Sequence, residues 1–423
     1  MSKVKRQPAS CLPPHPARLR RDKAIVIPLC ASLPANYLRR MTLTEILANE
    51  ESRLREFPVA RGKIFLAHAG VCPLPHRVAQ AIADCAMRGT TGDQETFVVP
   101  DRLNDARRLA SQLLNCQPDE IALVGPTSLA LSFVAAGLNF RKGDNLLIYH
   151  DDYPSNVYPW MALAGRGVEV RLLNTRGLGI IRPQDVMGQV DENTRLVALA
   201  SCHFISGHRL EHETIGKFLR ERGIWFCLDA IQTLGAFPTT VEHVDFLAAD
   251  AHKWLLGPCG AGVFYVRREL HEKLNPPVYG WHNVRNPNYV AQEQIVFRNG
   301  AVKYEAGTHN MLGVVGLIAA MELALEIGVE NVAAELLRKR AWLVPALQAK
   351  GFAVLNAGAK AENASGIVSF YQPGQDLAAL HKKLTDASVI ASLRTDRKGQ
   401  NYIRLSPHFY NTDAELQRAL ALL

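Results

Sequence analysis

One lysine of the chain has the surroundings of a nucleophile. Lys253 follows the apolar run 246–249 and precedes the glycine-rich stretch 257–262. At the end of a buried strand facing a tight loop its amine is partly desolvated, which lowers the pKa. A neutral amine attacks carbonyl carbons, so this position suits a Schiff base with an aldehyde cofactor. Most lysines are solvated surface charges, so the hypothesis depends on the residues that accompany Lys253.

A carboxylate with a matching task lies 24 positions earlier in the chain. Asp229 ends the apolar run 225–228. Pyridoxal phosphate needs a carboxylate at its pyridine nitrogen, because the buried charge keeps that nitrogen protonated and lets the ring withdraw electrons. Taken alone, Asp229 is better explained as the cap of a following helix.

Hydroxyl, imidazole and phenol groups complete a possible cofactor site. Thr127 and Ser128 lie between the predicted strand 121–124 and a predicted helix, where backbone N–H groups and two hydroxyls could bind a phosphate. His252 could donate to the same phosphate, and Tyr153 could stack on the pyridine ring. Helix capping, a backbone-bonded histidine and a loop aromatic that covers the core are the alternatives.

The order of these residues along the chain resembles that of one known family. The chain resembles the class V aminotransferases, which include the cysteine desulfurases, within the fold type I pyridoxal-phosphate enzymes. The resemblance covers residues 65–412, and its most specific segments are 229–238, 244–258 and 403–412. Segment 65–75 is similar to the loop that leads into the family's active site.

The resemblance implies how the cofactor ring would be held. Lys253 would form the Schiff base, and Asp229 would pair with the ring nitrogen. Gln232 would bond the phenolic oxygen. Tyr153 would stack on the ring, at the position where desulfurases usually carry a histidine.

The resemblance also implies which residues bind the cofactor phosphate and the substrate. Thr127, Ser128 and His252 would hold the phosphate, and Thr308 would reach the phosphate of the partner subunit in a homodimer. Arg404 would bind the substrate carboxylate through its planar fork.

Two positions depart from the family pattern. Asp250 stands where a small hydroxyl residue is usual; because a carboxylate repels a phosphate, we expect it to turn away or to bond backbone. Desulfurases carry a catalytic cysteine shortly before the carboxylate-binding arginine, but residues 389–402 contain none, and Cys259 does not match that position. A persulfide-forming desulfurase is therefore disfavoured. Arg394, in the same segment, could contact an acidic substrate or form a surface salt bridge.

These residues predict a pyridoxal-phosphate enzyme that acts on an amino acid, with Lys253 as the base that removes the Cα proton. We expect an aminotransferase. The alternative is a lyase of the C–S lyase, cysteine desulfurase or selenocysteine lyase kind, since both routes share their first step. Lys253, Asp229 and Arg404 together disfavour a catalytically inactive binding protein. A dinucleotide oxidoreductase is disfavoured because no G-x-G-x-x-G follows the first strand.

The elements that must position these residues alternate between short apolar strands and amphipathic helices, which predicts an α/β fold with a mostly parallel sheet. Predicted strands are 121–124, 145–149, 168–172, 196–200, 225–228, 246–249 and 262–266. Predicted helices are 102–115, an apolar helix that follows Ser128 and ends at Leu138, and 211–222. A terminal α+β domain would contain helices 331–350 and 375–386 and strands 352–355, 367–370, 389–394 and 402–406. The predicted division is a basic disordered tail (1–40), an N-terminal arm with the entry loop (41–75), a large pyridoxal-phosphate-binding domain (76–325) and a small C-terminal domain (326–423).

Composition excludes several other classes of protein. The net charge of +8 lies entirely within residues 1–40, which hold nine Lys or Arg and one acid, so the rest is neutral and nucleic acid is not an expected partner. We interpret that tail as upstream of a fold that opens at Met41, with a targeting peptide as the alternative.

No apolar run approaches the roughly 20 residues of a membrane helix. The eight cysteines form no CxxC pair, which indicates reduced thiols in a cytoplasmic enzyme without a metal site.

Overall fold

The computed structural model describes residues 42–95 and 101–423, so the predicted basic tail lies outside the described residues. The α-helices are α1 (Leu43–Ala48), α2 (Glu50–Glu56), α3 (His76–Arg88), α4 (Asp101–Leu114), α5 (Thr127–Gly137), α6 (Tyr158–Met161), α7 (Pro183–Met187), α8 (His212–Glu221), α9 (Met311–Ile327), α10 (Val329–Ala349), α11 (Leu377–Asp386) and α12 (Asp413–Ala421). The strands are β1 (Ile64–Phe65), β2 (Ile121–Ala122), β3 (Asn145–Ile148), β4 (Glu169–Leu172), β5 (Thr194–Ala200), β6 (Trp225–Asp229), β7 (Phe246–Asp250), β8 (Gly262–Val266), β9 (Ala353–Val354), β10 (Val368–Tyr371), β11 (Val389–Ile390), β12 (Ser392–Thr395) and β13 (Asn401–Leu405).

A seven-stranded sheet forms the centre of the molecule, in the order β2-β8-β7-β6-β5-β3-β4. Strands β4, β3, β5, β6 and β7 are parallel, and β8 runs against its neighbours β7 and β2. Every residue of β3, β7 and β8 is buried, which is typical of a sheet covered on both faces. The prediction of an α/β fold with a mostly parallel sheet is confirmed.

The parallel strands bring the candidate residues to one edge of this sheet. β6 ends at Asp229, which pairs with Ala200 of β5 and Ala248 of β7. Loops that follow β3, β5, β6 and β7 therefore start side by side at the carboxyl edge, where α/β proteins bind ligands. Tyr153 and Lys253 lie on two of these loops.

Helices cover both faces of the large sheet. One core cluster joins the sheet to α3, α4, α8 and α9, and a second joins it to α5 and α6. The sequence-based interpretation missed α9, because its residues are buried on nearly every side and show no amphipathic period. Among the described helices, none alone is long and apolar enough to span a membrane. Helices α9 and α10 reach that length and apolarity only when they are taken together, and a 73° bend separates them.

A second, antiparallel sheet follows in the C-terminal part, in the order β12-β13-β10-β9. Its core packs against α10, α11 and α12. The predicted strand 389–394 is two strands: β11 pairs in parallel with β1, and β12 pairs with β13. The pairing of β1 with β11 places the loop after β1 beside the C-terminal sheet. The proposed domain division at residue 326 stays a prediction.

Candidate active site

Lys253 lies just beyond β7 and is almost completely buried, at 7% exposure. Its Nζ lies 5.2 Å from the centre of the Tyr153 ring. Burial lowers the pKa of the amine to about 8; Asp229 opposes this effect, and Arg404 and Arg394 add to it. The amine is therefore neutral at mildly alkaline pH, as a nucleophile or a base requires.

Asp229 is buried at the end of β6, and its Oδ1 accepts the backbone N–H of Ile231 at 3.1 Å. Burial raises the pKa of this carboxyl, whereas the Ile231 hydrogen bond and the charge of Lys253 lower it. Residues 231–236 form turns and no α-helix begins there, so the helix-cap alternative is wrong. A cationic group in the adjoining cavity would stabilise the ionised carboxylate.

The N-terminus of α5 faces the same cavity. The Thr127 hydroxyl oxygen accepts the N–H of Asp250 at 2.9 Å, which leaves its proton free to be donated. No side chain caps α5, so the first N–H groups of the helix and the hydroxyl of Ser128 can bind an anion. Gly125 permits the close packing behind this turn, because a Cβ there would lie 2.9 Å from the carbonyl carbon of Gly260.

The carboxylate of Asp250 bonds backbone, as expected. Its Oδ1 accepts the N–H of Ala251 at 2.7 Å and its Oδ2 accepts the N–H of Gly260 at 3.2 Å. Oδ1 also lies 3.2 Å from Nδ1 of His252. This negative charge is thus compensated locally, which reduces its repulsion of an anion at the start of α5.

Tyr153 forms one wall of the cavity. Its ring meets Phe204 edge to face, with 5.4 Å between the centroids. Its backbone N–H donates to Oδ1 of the buried Asp152 at 2.7 Å, and Asp152 Oδ2 accepts from Asn156 at 3.1 Å. Burial and then the charge of Asp229 raise the pKa of Asp152 to about 7. Asp152 therefore anchors the loop that presents the aromatic ring.

Gln232 is held at both ends of its amide. Its Nε2 donates to the carbonyl oxygen of Ala69 at 3.1 Å, and its Oε1 accepts from the indole N–H of Trp254 at 2.8 Å. An indole can only donate, so Trp254 fixes which end of the amide is oxygen. One N–H of Gln232 is left for an acceptor in the cavity.

Two guanidinium groups enter the cavity from the antiparallel sheet. Arg404 on β13 donates through Nη1 to the carbonyl oxygen of Phe204 at 2.6 Å and through Nη2 to Ser392 Oγ at 3.4 Å. Burial lowers the pKa of Arg404 to about 9, and the charge of Arg394 on β12 adds to this. Within the described part of the chain, the buried Nε atoms of both arginines lack a hydrogen-bond partner.

One cavity of about 230 Å³ brings the candidate side chains together. It is lined by Thr127, Ser128, Tyr153, Asp229, Gln232, His252, Lys253, Arg394 and Arg404, and also by Ala69, Gly70, Val71, Pro126, Ser155, Phe204 and Ile231. Of the predicted site residues, Thr308 alone does not line it. Thr308 is exposed and borders two neighbouring pockets. Its expected contact with a partner's phosphate stays a prediction.

The donor set of the cavity fits pyridoxal phosphate. A helix N-terminus with two hydroxyls matches a phosphate, and the buried Asp229 matches a cationic ring nitrogen. The fixed amide of Gln232 matches a phenolic oxygen, and the neutral amine of Lys253 matches an aldehyde. The sequence-based interpretation missed Asp152, Phe204 and the bond from Trp254, although Trp254 directly follows Lys253.

Comparisons with known proteins give the family. The sequence pattern of the family described as Aminotransferase class-V matches residues 64–419. A probable cysteine desulfurase of Methanothermobacter thermautotrophicus is 28% identical over 394 residues, which are 88% of this chain and 96% of that protein. The apo cysteine desulfurase of Thermococcus onnurineus NA1 has a TM-score of 0.81 at 23% identity, covering 88% and 96%. The cystine C-S lyase C-DES, solved with cysteine persulfide, has a TM-score of 0.79 at 22% identity, covering 86% and 98%.

The chain belongs to the class V aminotransferase family. It is a pyridoxal-phosphate-dependent enzyme with the fold type I architecture, as the resemblance implied. The alternative of a catalytically inactive binding protein is therefore wrong.

Proposed function

We propose that this enzyme is a C–S lyase, which removes a sulfur-linked group from Cβ of an amino acid. The sequence alone favours an aminotransferase and leaves the lyase as the alternative. The lyase is supported by relatives named for sulfur chemistry, namely a probable cysteine desulfurase and a cystine C-S lyase.

The observation that carries the proposal is the lack of a reactive thiol along the cavity within the described residues. Residues 389–402 contain no cysteine. Cys72, on the loop that carries Gly70 and Val71, is buried, and burial raises the pKa of its thiol to about 12, so it is a poor nucleophile. Cys259 is exposed and does not line the cavity. The sulfur group would therefore leave as a free product and would not be taken up by an enzyme cysteine.

The roles of the chain's residues in this reaction follow from their positions. Pyridoxal phosphate, when bound, supplies an aldehyde for the substrate amine and a ring that withdraws electrons from Cα. Lys253 would hold the aldehyde, and its Nζ, once released, would accept the Cα proton. Asp229 would keep the ring nitrogen protonated, Gln232 would donate to the phenolic oxygen, and Tyr153 would cover the ring.

The remaining contacts orient the cofactor and the substrate. Thr127, Ser128 and His252 would hold the phosphate, and Arg404 would bind the substrate carboxylate. Loss of the Cα proton to Nζ lets the Cβ–S bond break, and the sulfur departs with the bonding electrons. In total, one substrate and one water give the protonated sulfur compound, pyruvate and ammonia.

A product assay with the holoenzyme tests the reaction. The holoenzyme is incubated with L-cysteine or L-cystine, with and without a 2-oxo acid as amino acceptor. We expect pyruvate and ammonia in equal amounts, together with sulfide or persulfide, whether or not the acceptor is present. Alanine as the carbon product would indicate desulfuration, and amino transfer that requires the acceptor would indicate an aminotransferase; either result would overturn the proposal. Lys253→Ala should abolish the reaction, whereas Lys142→Ala on the surface should not.

We also propose a homodimer, in which Thr308 lies near the partner's cofactor phosphate. Exposed apolar side chains in the same stretch of the chain support an interface, among them Trp281, Tyr289 and Ile295. A cytoplasmic location is the matching expectation, supported by the free state of the cysteines in the described residues.

A further inference from the structure

Arg394 and Arg404 lie on the same face of the antiparallel sheet. Arg394 is directly opposite Tyr402 in the register of β12 and β13, and Arg404 is two positions beyond Tyr402. Residues opposite each other share a face, and so do residues two apart on a strand. Arg394 and Arg404 are thus diagonal neighbours, and both line the cavity.

Both guanidinium groups converge on one point beside Gly70. A Cβ built on Gly70 would lie 3.6 Å from Nη2 of Arg394 and 3.7 Å from Nη2 of Arg404. In the described ranges, no ion pair within 4 Å compensates either charge. Two like charges pointing at one spot in a buried site repel each other, and a bound anion would relieve that repulsion.

We propose that Arg394 and Arg404 together clamp the α-carboxylate of the amino-acid substrate, and that Gly70 lacks a side chain to leave room for it. This inference rests on the proposed amino-acid substrate but not on which bond breaks. A carboxylate has two oxygens with about four acceptor sites, so it can take hydrogen bonds from both guanidinium groups. The convergence on one point favours one shared carboxylate over separate α and side-chain acids.

The clamp also has a consequence for Lys253. The charges of Arg404 and Arg394 both lower the pKa of the lysine amine. A carboxylate bound between them cancels that influence, so the proton affinity of Nζ rises when the substrate binds. The amine, once released, is therefore a stronger base for the Cα proton than it would be beside two uncompensated arginines.

The test measures the binding of L-alanine to the holoenzyme through the change in the cofactor's absorbance. L-Alanine has no β-substituent to lose, so binding is read without elimination. Arg394→Ala should weaken L-alanine binding about 10- to 100-fold, the usual effect of losing hydrogen bonds between charged groups. L-Alaninamide, which has no carboxylate, should bind Arg394→Ala and the unmodified enzyme alike. Arg418→Ala, on the exposed side of α12, is the control and should change neither.

Two further variants keep the test decisive. Arg394→Lys retains the charge without the fork, and it should still lose several-fold in L-alanine affinity even if Arg394→Ala does not fold. Gly70→Ala should weaken L-alanine binding, whereas Gly62→Ala, where a Cβ meets nothing within 4 Å, should not.

The outcomes separate this inference from the proposed reaction. Unchanged L-alanine affinity in the Arg394 variants would overturn the clamp. The clamp would also be overturned if these variants lost affinity for L-aspartate alone, because Arg394 would then bind the side-chain carboxylate of the substrate. If the product assay fails but the L-alanine binding results are as expected, the C–S lyase proposal is wrong and the carboxylate clamp is still supported.

Discussion

At the scale of single residues, the lowered pKa of the buried Lys253 amine predicts the pH at which the enzyme takes up its cofactor. Because its pKa is lowered to about 8 and only the neutral amine attacks an aldehyde, cofactor incorporation into the apoenzyme should accelerate as the pH rises through about 8. Stopped-flow absorbance at a series of pH values measures this midpoint. A midpoint near 10.4, the ordinary value for lysine, would contradict the prediction.

Asp229 shifts the same midpoint in a direction that can be stated. Its negative charge raises the pKa of Lys253, so removing it disfavours the protonated amine. Asp229→Asn should therefore move the midpoint of cofactor incorporation to lower pH. Asp119→Asn, at an exposed surface position, should leave it unchanged. A shift to higher pH in Asp229→Asn would show that the two groups do not interact as the structure indicates.

Trp254 fixes the amide of Gln232, the residue expected to donate to the phenolic oxygen of the cofactor. Without the indole N–H, the Gln232 amide loses the partner that fixes its orientation, at a cost of about 1 kcal/mol. Trp254→Phe should weaken cofactor binding several-fold and shift the absorbance maximum of the bound cofactor. Trp225→Phe, whose indole packs on Phe140 outside the cavity, is the control. If Trp254→Phe lowers the stability of the fold but leaves the absorbance spectrum of the bound cofactor unchanged, Trp254 contributes only to packing.

At the scale of elements, an ion pair joins the two loops that flank the cavity. Arg397, between β12 and β13, lies with Nε 2.5 Å from Asp151 Oδ1, beside Tyr153. The pair is partly exposed, so its contribution is small, about 0.2–1 kcal/mol, and screened by salt. Arg397→Ala should raise KM a few-fold at low salt with little change in kcat, and the difference should vanish at high salt. Arg268→Ala, which breaks an equally exposed pair with Asp119, should have no such effect.

The elements show which parts of the fold could be predicted from sequence. Strands β3 to β8 are short apolar runs bounded by turn residues, helices α4 and α8 have an amphipathic period, and α5 is a short apolar run. Their predicted positions differ from the structure by only a few residues. The helix α9 was missed because a helix buried on all sides has no polar face to reveal its period. Lys253 and Asp229 could be located because each ends an apolar run. The proximity of Gly70 to Arg394 could not be predicted from the sequence, since it depends on contacts between residues more than 300 positions apart.

A buried ion network fixes the segment that leads to Thr308. Glu305 Oε2 lies 2.5 Å from Arg107 Nη2 of α4 and 2.7 Å from His309 Nε2, and Oε1 accepts the N–H of Leu123 at 2.8 Å. His282, Glu305 and His309 have the spacing of a metal site, but Glu305 already has a cationic partner in Arg107. Burial alone would raise the pKa of Glu305, yet His309 and Arg107 lower it on balance.

Removing the charge of Glu305 should destabilise the fold. Glu305→Gln leaves Arg107 buried and unpaired, which costs about 3–5 kcal/mol in the free energy of unfolding. Because the folded pKa of Glu305 is depressed, its stabilisation is complete above the ordinary pKa of glutamate and is lost as the pH falls through the folded value. Urea unfolding at neutral and acidic pH measures both effects. Arg108→Ala, which breaks an exposed pair with Asp105, should cost less than about 1 kcal/mol.

At the scale of the whole molecule, large apolar side chains lie exposed in one stretch of the chain. Tyr289 is 80% exposed, Ile295 65% and Val290 60%, and Trp281 is also exposed. A monomeric enzyme gains nothing from such surface, whereas apolar and aromatic side chains are typical of the core of a subunit interface. Trp281, Tyr289 and Thr308 border the same pocket, which links this surface to the residue expected to serve the partner's cofactor.

Charge placed on this surface should therefore dissociate the proposed dimer and weaken cofactor binding together. Ile295→Glu would bury a carboxylate at the proposed interface, so the sedimentation coefficient should fall towards that of a monomer at micromolar concentration. If Thr308 binds the phosphate of the partner's cofactor, the cofactor affinity of Ile295→Glu should fall in parallel. Thr308→Ala should lower the cofactor affinity without dissociating the subunits. Leu172→Glu on the edge strand β4, at an equally apolar but separate exposed position, should leave both unchanged. A monomeric wild type with full cofactor affinity would contradict both the dimer and the role of Thr308, because the cavity would then be complete within one chain.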